Sequence, residues 1–227
     1  MASKPTDAAK LTIYRSIRAE IIGGRKKPGE RISIDRLKEV FGTSVTPVRD
    51  ALQMLSQEEL VTIKPRSGYY VTLVTLKELN DMMDLRSILE LAVVERAVKR
   101  ITDSQIQTLE DIHHGYTDDR AESFVRYTEE NRKFHVMLAE FSGNHELASQ
   151  IGHLHDRLAR FMVMSNPGTE MVDIHSRLLG RLKARDAAGA IKAMQKELAN
   201  GKRLIMERIM EEEASYWHLG NATPTPK

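Results

Sequence analysis

Residues 31–73, RISIDRLKEVFGTSVTPVRDALQMLSQEELVTIKPRSGYYVTL, decide the fold of the N-terminal third. Two short helical stretches flank Gly42, and two β-rich runs follow on either side of Arg66-Ser67-Gly68. Ser33 is placed to cap the first helix, IDRLKEVF, and Gly42 to end it. Thr43 or Ser44 caps the second, with Pro47 in its first turn, where a missing N–H costs nothing. Ala51, Leu52, Leu55 and Leu60 continue its apolar face. LVTIKP and GYYVTLV have the composition of short strands. The pattern predicts a winged helix-turn-helix, an α fold with a small β wing.

A helix fits the major groove of B-DNA, and its N-terminal residues reach base edges first. That helix opens here on Thr43, Ser44, Val45, Thr46, Pro47 and Arg49. Hydroxyls at a helix N-terminus suit phosphate oxygens, and Arg49 can pair with guanine or phosphate. Arg36 on the preceding helix, Arg66 beside the wing tip and Gly68, which permits a tight bend, complete the candidate DNA contacts. A winged helix used only for protein contact is the alternative.

Upstream, residues 8–23 place Leu11, Tyr14, Ile17 and Ile21 at helical spacing, and Gly23-Gly24 ends that helix. Beyond Thr75 the helical period persists. LKELNDMMDLRSILELAVVERAVKRI reads as one helix of about seven turns. Thr102 with Gln105 resembles a capping box. Helices follow over about 121–141, to about Met164, and on both sides of Arg185-Asp186, with Asp186 as N-cap of the last. The expectation is a mainly α protein. Residues 1–74 form the winged helix-turn-helix domain, and residues 75–227 an all-helical domain of about six helices. The tail GNATPTPK is expected to be disordered.

Charge follows the same division. Residues 1–74 carry 13 Lys/Arg and 8 Asp/Glu, a net +5, and the remaining 21 and 24 leave −3. A basic head on an acidic remainder suits one module that meets phosphate and one that does not. The chain has no cysteine, which excludes disulfides and thiolate metal sites. No apolar run approaches the roughly 20 residues that span a bilayer, and MASKPTDAAK lacks a signal-peptide core. A cytoplasmic protein without membrane contact is expected.

The head resembles the N-terminal domain of GntR-type transcription regulators. These usually read PG-x-x-L, then G-V-S-R-T-P-V-R-E-A-L, then a glycine-bearing wing. This chain has PGERIS and an intact Thr46-Pro47-Val48-Arg49-Asp50-Ala51-Leu52. Val45 stands where the family usually has arginine, the side chain best suited to a bidentate guanine contact, and valine can instead touch a thymine methyl. An A·T preference at that position is therefore expected. The helical remainder is similar to the FadR-like, FCD type of effector domain. Its cues are DLRSILE, ENRKFHVMLAEFSGNHEL, and a later isolated His followed by RDAAGAIKAM.

The resemblance implies a divalent metal held by an Asp-x-x-x-His pair and two later histidines. The matching positions are Asn131, His135, His175 and Glu197, with Asn for the aspartate and Glu for the third histidine. Asn131 and His135 share a helix face. Such an N2O2 set suits Zn²⁺, Ni²⁺ or Mn²⁺; a metal-free polar pocket is the alternative. Arg86 matches a family arginine that faces the effector cavity, where its fork can hold a carboxylate. A surface pair with Glu90 beside the stripe Leu85, Ile88, Leu89, Ala92 is the other reading. Arg86, Glu90 and Arg157 are the candidate effector residues. Arg157 and Arg160 are weaker effector candidates, with a solvated helix face as the alternative, and His113-His114 and His153/His155 read as surface positions.

Three functions fit these residues. One is a dimeric repressor of a metabolic operon that binds a palindromic operator and answers to a small organic acid, as the resemblance implies. Another is a metal-dependent hydrolase-like enzyme using His135 and His175, although the chain has no nucleophile elbow, phosphate loop or H-E-x-x-H. The third is a scaffold that binds DNA without regard to sequence.

Overall fold

The computed structural model describes residues 5–112, 121–165 and 170–211. His113, His114 and the tail GNATPTPK lie outside the described residues.

The head opens with α1 (Pro5–Ile22), which buries Ile13, Ile17 and Ile21. Leu11, expected on that face, is 38% exposed. The contacting face is chosen by α3 (Val45–Gln57), against which α1 packs, and Ile13 fits it where Leu11 does not. Between them lies α2 (Ile34–Phe41). Ser33 Oγ accepts from the Arg36 amide at 3.3 Å, and Gly42 closes the helix in the left-handed region at φ 58°. Val48, Ala51, Leu52 and Leu55 of α3 are fully buried. Each large apolar side chain so buried contributes about 1.5–3 kcal/mol.

The wing is a three-stranded antiparallel sheet, where two strands were expected. Its strands are β1 (Arg31–Ile32), β2 (Val61–Lys64) and β3 (Gly68–Val71), in the order β1-β3-β2. Two residues carry no readable alternation, so β1 leaves no sequence signal of its own. Lys64 pairs with Gly68, so residues 65–67 form the tip. Arg66 sits there at φ 61°, a conformation uncommon outside glycine.

The remainder is helical throughout the described residues: α4 (Leu76–Arg100), α5 (Asp103–Glu110), α6 (Ala121–Phe141), α7 (His145–Ser165), α8 (Glu170–Lys183) and α9 (Ala187–Glu211). Thr75 with Glu78 and Thr102 with Gln105 both make reciprocal capping boxes. Asp186 Oδ1 accepts from the Gly189 amide at 2.9 Å, as an N-cap does. Val94, Ala97, Phe134, Leu138, Ile151, Leu178, Leu182 and Met194 form the largest core.

On α4 the expected stripe is inverted. Leu85 and Ile88 are 46% and 67% exposed, while Arg86 and Glu90 point inward with Leu79, Met83, Val93 and Val94. Charged side chains enter a core only when partners await them, and the partners of Arg86 and Glu90 come from α6, α7 and α9. No helix among the described residues is long and apolar enough to cross a membrane.

Candidate functional site

On the reading face, Ser44 is the N-cap residue of α3 but makes no side-chain capping bond, which leaves its hydroxyl available. Arg36, Ser44, Thr46, Arg49 and Arg66 are exposed, and Thr43, Val45 and Gly68 partly so. Pro47 is buried, and this corrects its place among the contact candidates: it shapes the first turn of α3 from inside and presents nothing to a groove. On the wing, Lys64 Nζ lies 4.7 Å from the Tyr70 ring centroid, and the Ser67 and Tyr70 hydroxyls are 2.7 Å apart.

The sensor cluster draws on five helices. Arg86 and Glu90 stand one turn apart on α4, and Asn131 and His135 one turn apart on α6. His155 comes from α7, His175 from α8 and Glu197 from α9. All seven are buried. Arg86 Nε donates to Glu90 Oε1 at 2.6 Å, and Glu90 Oε2 meets His135 Nδ1 in a short contact. On the other edge of the ring, His135 Nε2 lies 2.9 Å from Glu197 Oε1, and that oxygen lies 3.2 Å from His175 Nε2. Phe134 stacks on His175 with ring centroids 4.0 Å apart and planes 9° from parallel.

Electrostatics follow from this packing. Burial opposes the imidazolium of His135, but Glu90 and Glu197 on its two sides raise it to about 9. Burial raises Glu90, but His135 and Arg86 overcome that and hold it well below the usual carboxylate range. Glu197 is depressed in the same way, its burial outweighed by His175 and His135. Burial, helped by the Arg86 charge, lowers His155 to about 3, so its ring is neutral.

Two overlapping groups could hold an ion: Glu90, His135 and His155, and His135, His175 and Glu197. The second has the better chemistry. Glu90 fixes His135 through Nδ1 and leaves Nε2 facing His175 and Glu197, the outer carboxylate arrangement that orients metal-binding histidines. Asn131 Oδ1 and Glu197 Oε2, on two residues that line one pocket, are buried acceptors with no hydrogen-bond partner. Orphaned buried acceptors are costly, and oxygens of this kind are what a bound cation takes as ligands. That pocket, lined also by Arg86, Thr128 and Ser165, encloses about 410 Å³ of atom-free space, part of it open to solvent. Its free interior is about 30 Å³, room for about one or two waters, so a larger ligand enters only as side chains of the lining move.

Residues 9–71 match the pattern of bacterial regulatory proteins of the gntR family, and residues 81–200, more than half the chain, match the FCD domain. The chain belongs to the GntR family. Among its relatives, this GntR regulator is 26% identical over 218 residues to the HTH-type transcriptional repressor RspR of Escherichia coli K12, covering 94% of this chain and 95% of that one. It is 28% identical over 209 residues to the HTH-type transcriptional repressor GlaR of the same strain, covering 86% and 95%. It is 27% identical over 192 residues to the HTH-type transcriptional regulator YdhC of Bacillus subtilis 168, covering 79% and 83%. Among solved structures, E. coli McbR/YncC superposes with TM-score 0.68 at 22% identity, covering 92% of this chain and 99% of that one, a likeness of fold. The protein is thus a GntR-type transcriptional regulator with a DNA-binding helix-turn-helix and an FCD effector domain. Family members are regulators, which are not enzymes.

Several site expectations for this GntR regulator are corrected by position. Arg157 is no part of the pocket: its guanidinium reaches Glu59, just past α3, at 3.1 Å. Arg160 is buried where a solvated face was expected, and its Nη1 donates to the Thr72 carbonyl at 2.8 Å. Arg86 and Glu90 are buried and so do not form a surface pair. His155 is also buried, with Nε2 3.1 Å from Glu90 Oε1, while His153 is exposed. The helical spacing of Ile151, His155, Leu158 and Met162 carried the signal for His155; reading it as a pair with His153 hid it.

Proposed function

We propose that this GntR regulator is a dimeric, cytoplasmic repressor of a metabolic operon, released or engaged by a small organic acid. Asn131, His135, His175 and Glu197 would hold a divalent ion (Zn²⁺, Ni²⁺ or Mn²⁺), which supplies Lewis-acid attraction for an anionic ligand. Arg86 would take that ligand's carboxylate. The observation that carries this reading is that Arg86, Asn131 and Glu197 line one pocket into which the chain brings orphaned acceptors and a guanidinium together.

The reading face supports a palindromic double-stranded operator. Thr43, Ser44, Val45, Thr46 and Arg49 would enter the major groove, Arg36 and Arg66 would meet phosphate or the adjacent groove, and Gly68 gives the wing its bend. Two heads on one palindrome imply a two-fold dimer. The outward Leu85 and Ile88 of α4 are apolar surface of the kind self-association covers. The named repressors RspR and GlaR favour repression over activation.

The test is a selection from random duplexes, paired with thermal shift of the metal-loaded protein against a panel of short carboxylic acids. A palindrome with A·T at the position facing Val45, and stabilisation by at least one acid, is expected. Recovery of unrelated duplexes, or indifference to every acid, contradicts the reading.

A further inference from the structure

We propose that Arg86 is a resident cation that competes for the metal site, and that it must leave Glu197 before a divalent ion is held there. Its departure turns the guanidinium toward an anionic ligand in the same pocket. This rests on the metal-and-acid reading above.

The guanidinium spans two buried carboxylates. Nε donates to Glu90 at 2.6 Å, while Nη2 lies 3.9 Å from Glu197 Oε1 and 3.4 Å from His135 Nε2. The last two atoms are donors of the His135, His175, Glu197 group. An ion bonded to His135 Nε2 at about 2.0–2.1 Å would lie at most about 5.5 Å from Nη2, the sum of that bond and the 3.4 Å contact. At such a separation a unit and a double positive charge repel strongly, and burial removes most of the screening by salt. Arginine cannot relieve this by losing its proton.

Glu90 makes the exchange feasible. The planar fork turns as one piece, but Glu90 also meets His135 Nδ1 and His155 Nε2, so its buried charge is not left alone while Arg86 moves. The pocket beside Thr128, Asn131 and Ser165 gives that end somewhere to go. With the ion held, the freed fork faces the pocket and matches a carboxylate. Without it, the fork is bonded to Glu90 and drawn by charge toward Glu197 at 3.9 Å. Ion and acid therefore bind with positive coupling, and the acid alone binds poorly.

Calorimetric titration of Zn²⁺ into the full-length wild type, Arg86→Met and Arg86→Lys tests the exchange. Arg86→Met should bind Zn²⁺ about tenfold tighter or more, since the competing charge is gone. Arg86→Lys, which keeps the charge, should stay within about threefold of wild type. Equal or weaker binding by Arg86→Met overturns the exchange, and so does a wild type and variant that both fail to bind. Should Arg86→Met not fold, the wild type decides: the arginine side-chain NMR signal that Arg86→Lys lacks should shift in step with Zn²⁺ saturation. A signal that stays put while Zn²⁺ saturates overturns the exchange. Acid-responsive operator binding by the wild type, measured alongside, isolates the failure: if it persists, only the exchange falls and the regulatory reading stands.

Discussion

Arg18 on α1 and Asp156 on α7 form an ion pair at 2.7 Å that ties the reading head to the helical sensor. Asp156 also takes two bonds from Arg132, at 2.9 and 2.8 Å, and Arg132 follows Asn131 on α6. Arg18 Nε in turn donates at 3.2 Å to Glu58, the C-cap of α3. A polar chain thus runs from the end of the reading helix to the helix that carries Asn131 and His135. Asp156→Asn leaves two guanidiniums facing a neutral amide, and should cost about 1–3 kcal/mol in urea denaturation. A cost near zero would mean that the junction is a solvated contact without structural weight.

The junction also sets an alkaline limit. Burial pushes the Tyr14 phenol up, aided by its hydrogen bond to Glu58 and by the charge of that carboxylate. A group whose pKa is raised by folding gives stability that is fully present below its unfolded value, about 10 here, and lost as pH rises through the folded value. The urea midpoint should therefore fall more steeply above pH 10 in the wild type than in Tyr14→Phe. Parallel curves for the two proteins would contradict this.

On α3, neighbouring positions should separate recognition from folding. Exposed Arg49, changed to Ala, should lose about 1–3 kcal/mol of specific operator binding with an unchanged melting temperature. Buried Pro47, changed to Ala, should alter melting while leaving sequence preference intact. Binding by anisotropy and melting by calorimetry check both; the reverse pattern would exchange their roles.

Phe134 is fully buried and stacks on His175, so it supports both the core and the sensor cluster. Phe134→Ala should cost about 3–5 kcal/mol in denaturant unfolding. Phe134→Leu, which fills much of the space but offers no ring face, should cost less. If the two variants unfold alike, ring stacking contributes nothing at this position.

Local chemistry made much of the fold legible. Ser33 and Gly42 bracket α2 as cap and stop, and Thr102 with Gln105 begins α5, because a cap is decided by residues within one turn. The wing was legible at its glycine tip but not at β1, where two residues pair only because β3 is near. Periodicity places Leu11, Leu85 and Ile88 on the apolar faces of α1 and α4, yet all three are exposed. Periodicity gives an apolar stripe, but tertiary partners choose which flank of it is buried. In the cluster, Asn131 and His135 were legible by spacing, and His175 and Glu197 through family resemblance. Nothing local joins Arg18, Glu58, Arg132 and Asp156, which come from four separate segments and meet only after folding. Nor does anything local pair Arg157 with Glu59, which lies in the other part of the chain.

The most direct measurement is operator affinity of the wild type, by anisotropy at fixed salt, with and without a Zn²⁺ and carboxylic-acid pair that stabilises the protein. A palindrome from the regulator's own upstream region and a scrambled duplex of equal length are compared. The account predicts tight binding to the palindrome alone, shifted about 5–150-fold by the pair. Equal affinity for both duplexes, or a palindrome affinity that the pair leaves unchanged, would contradict it.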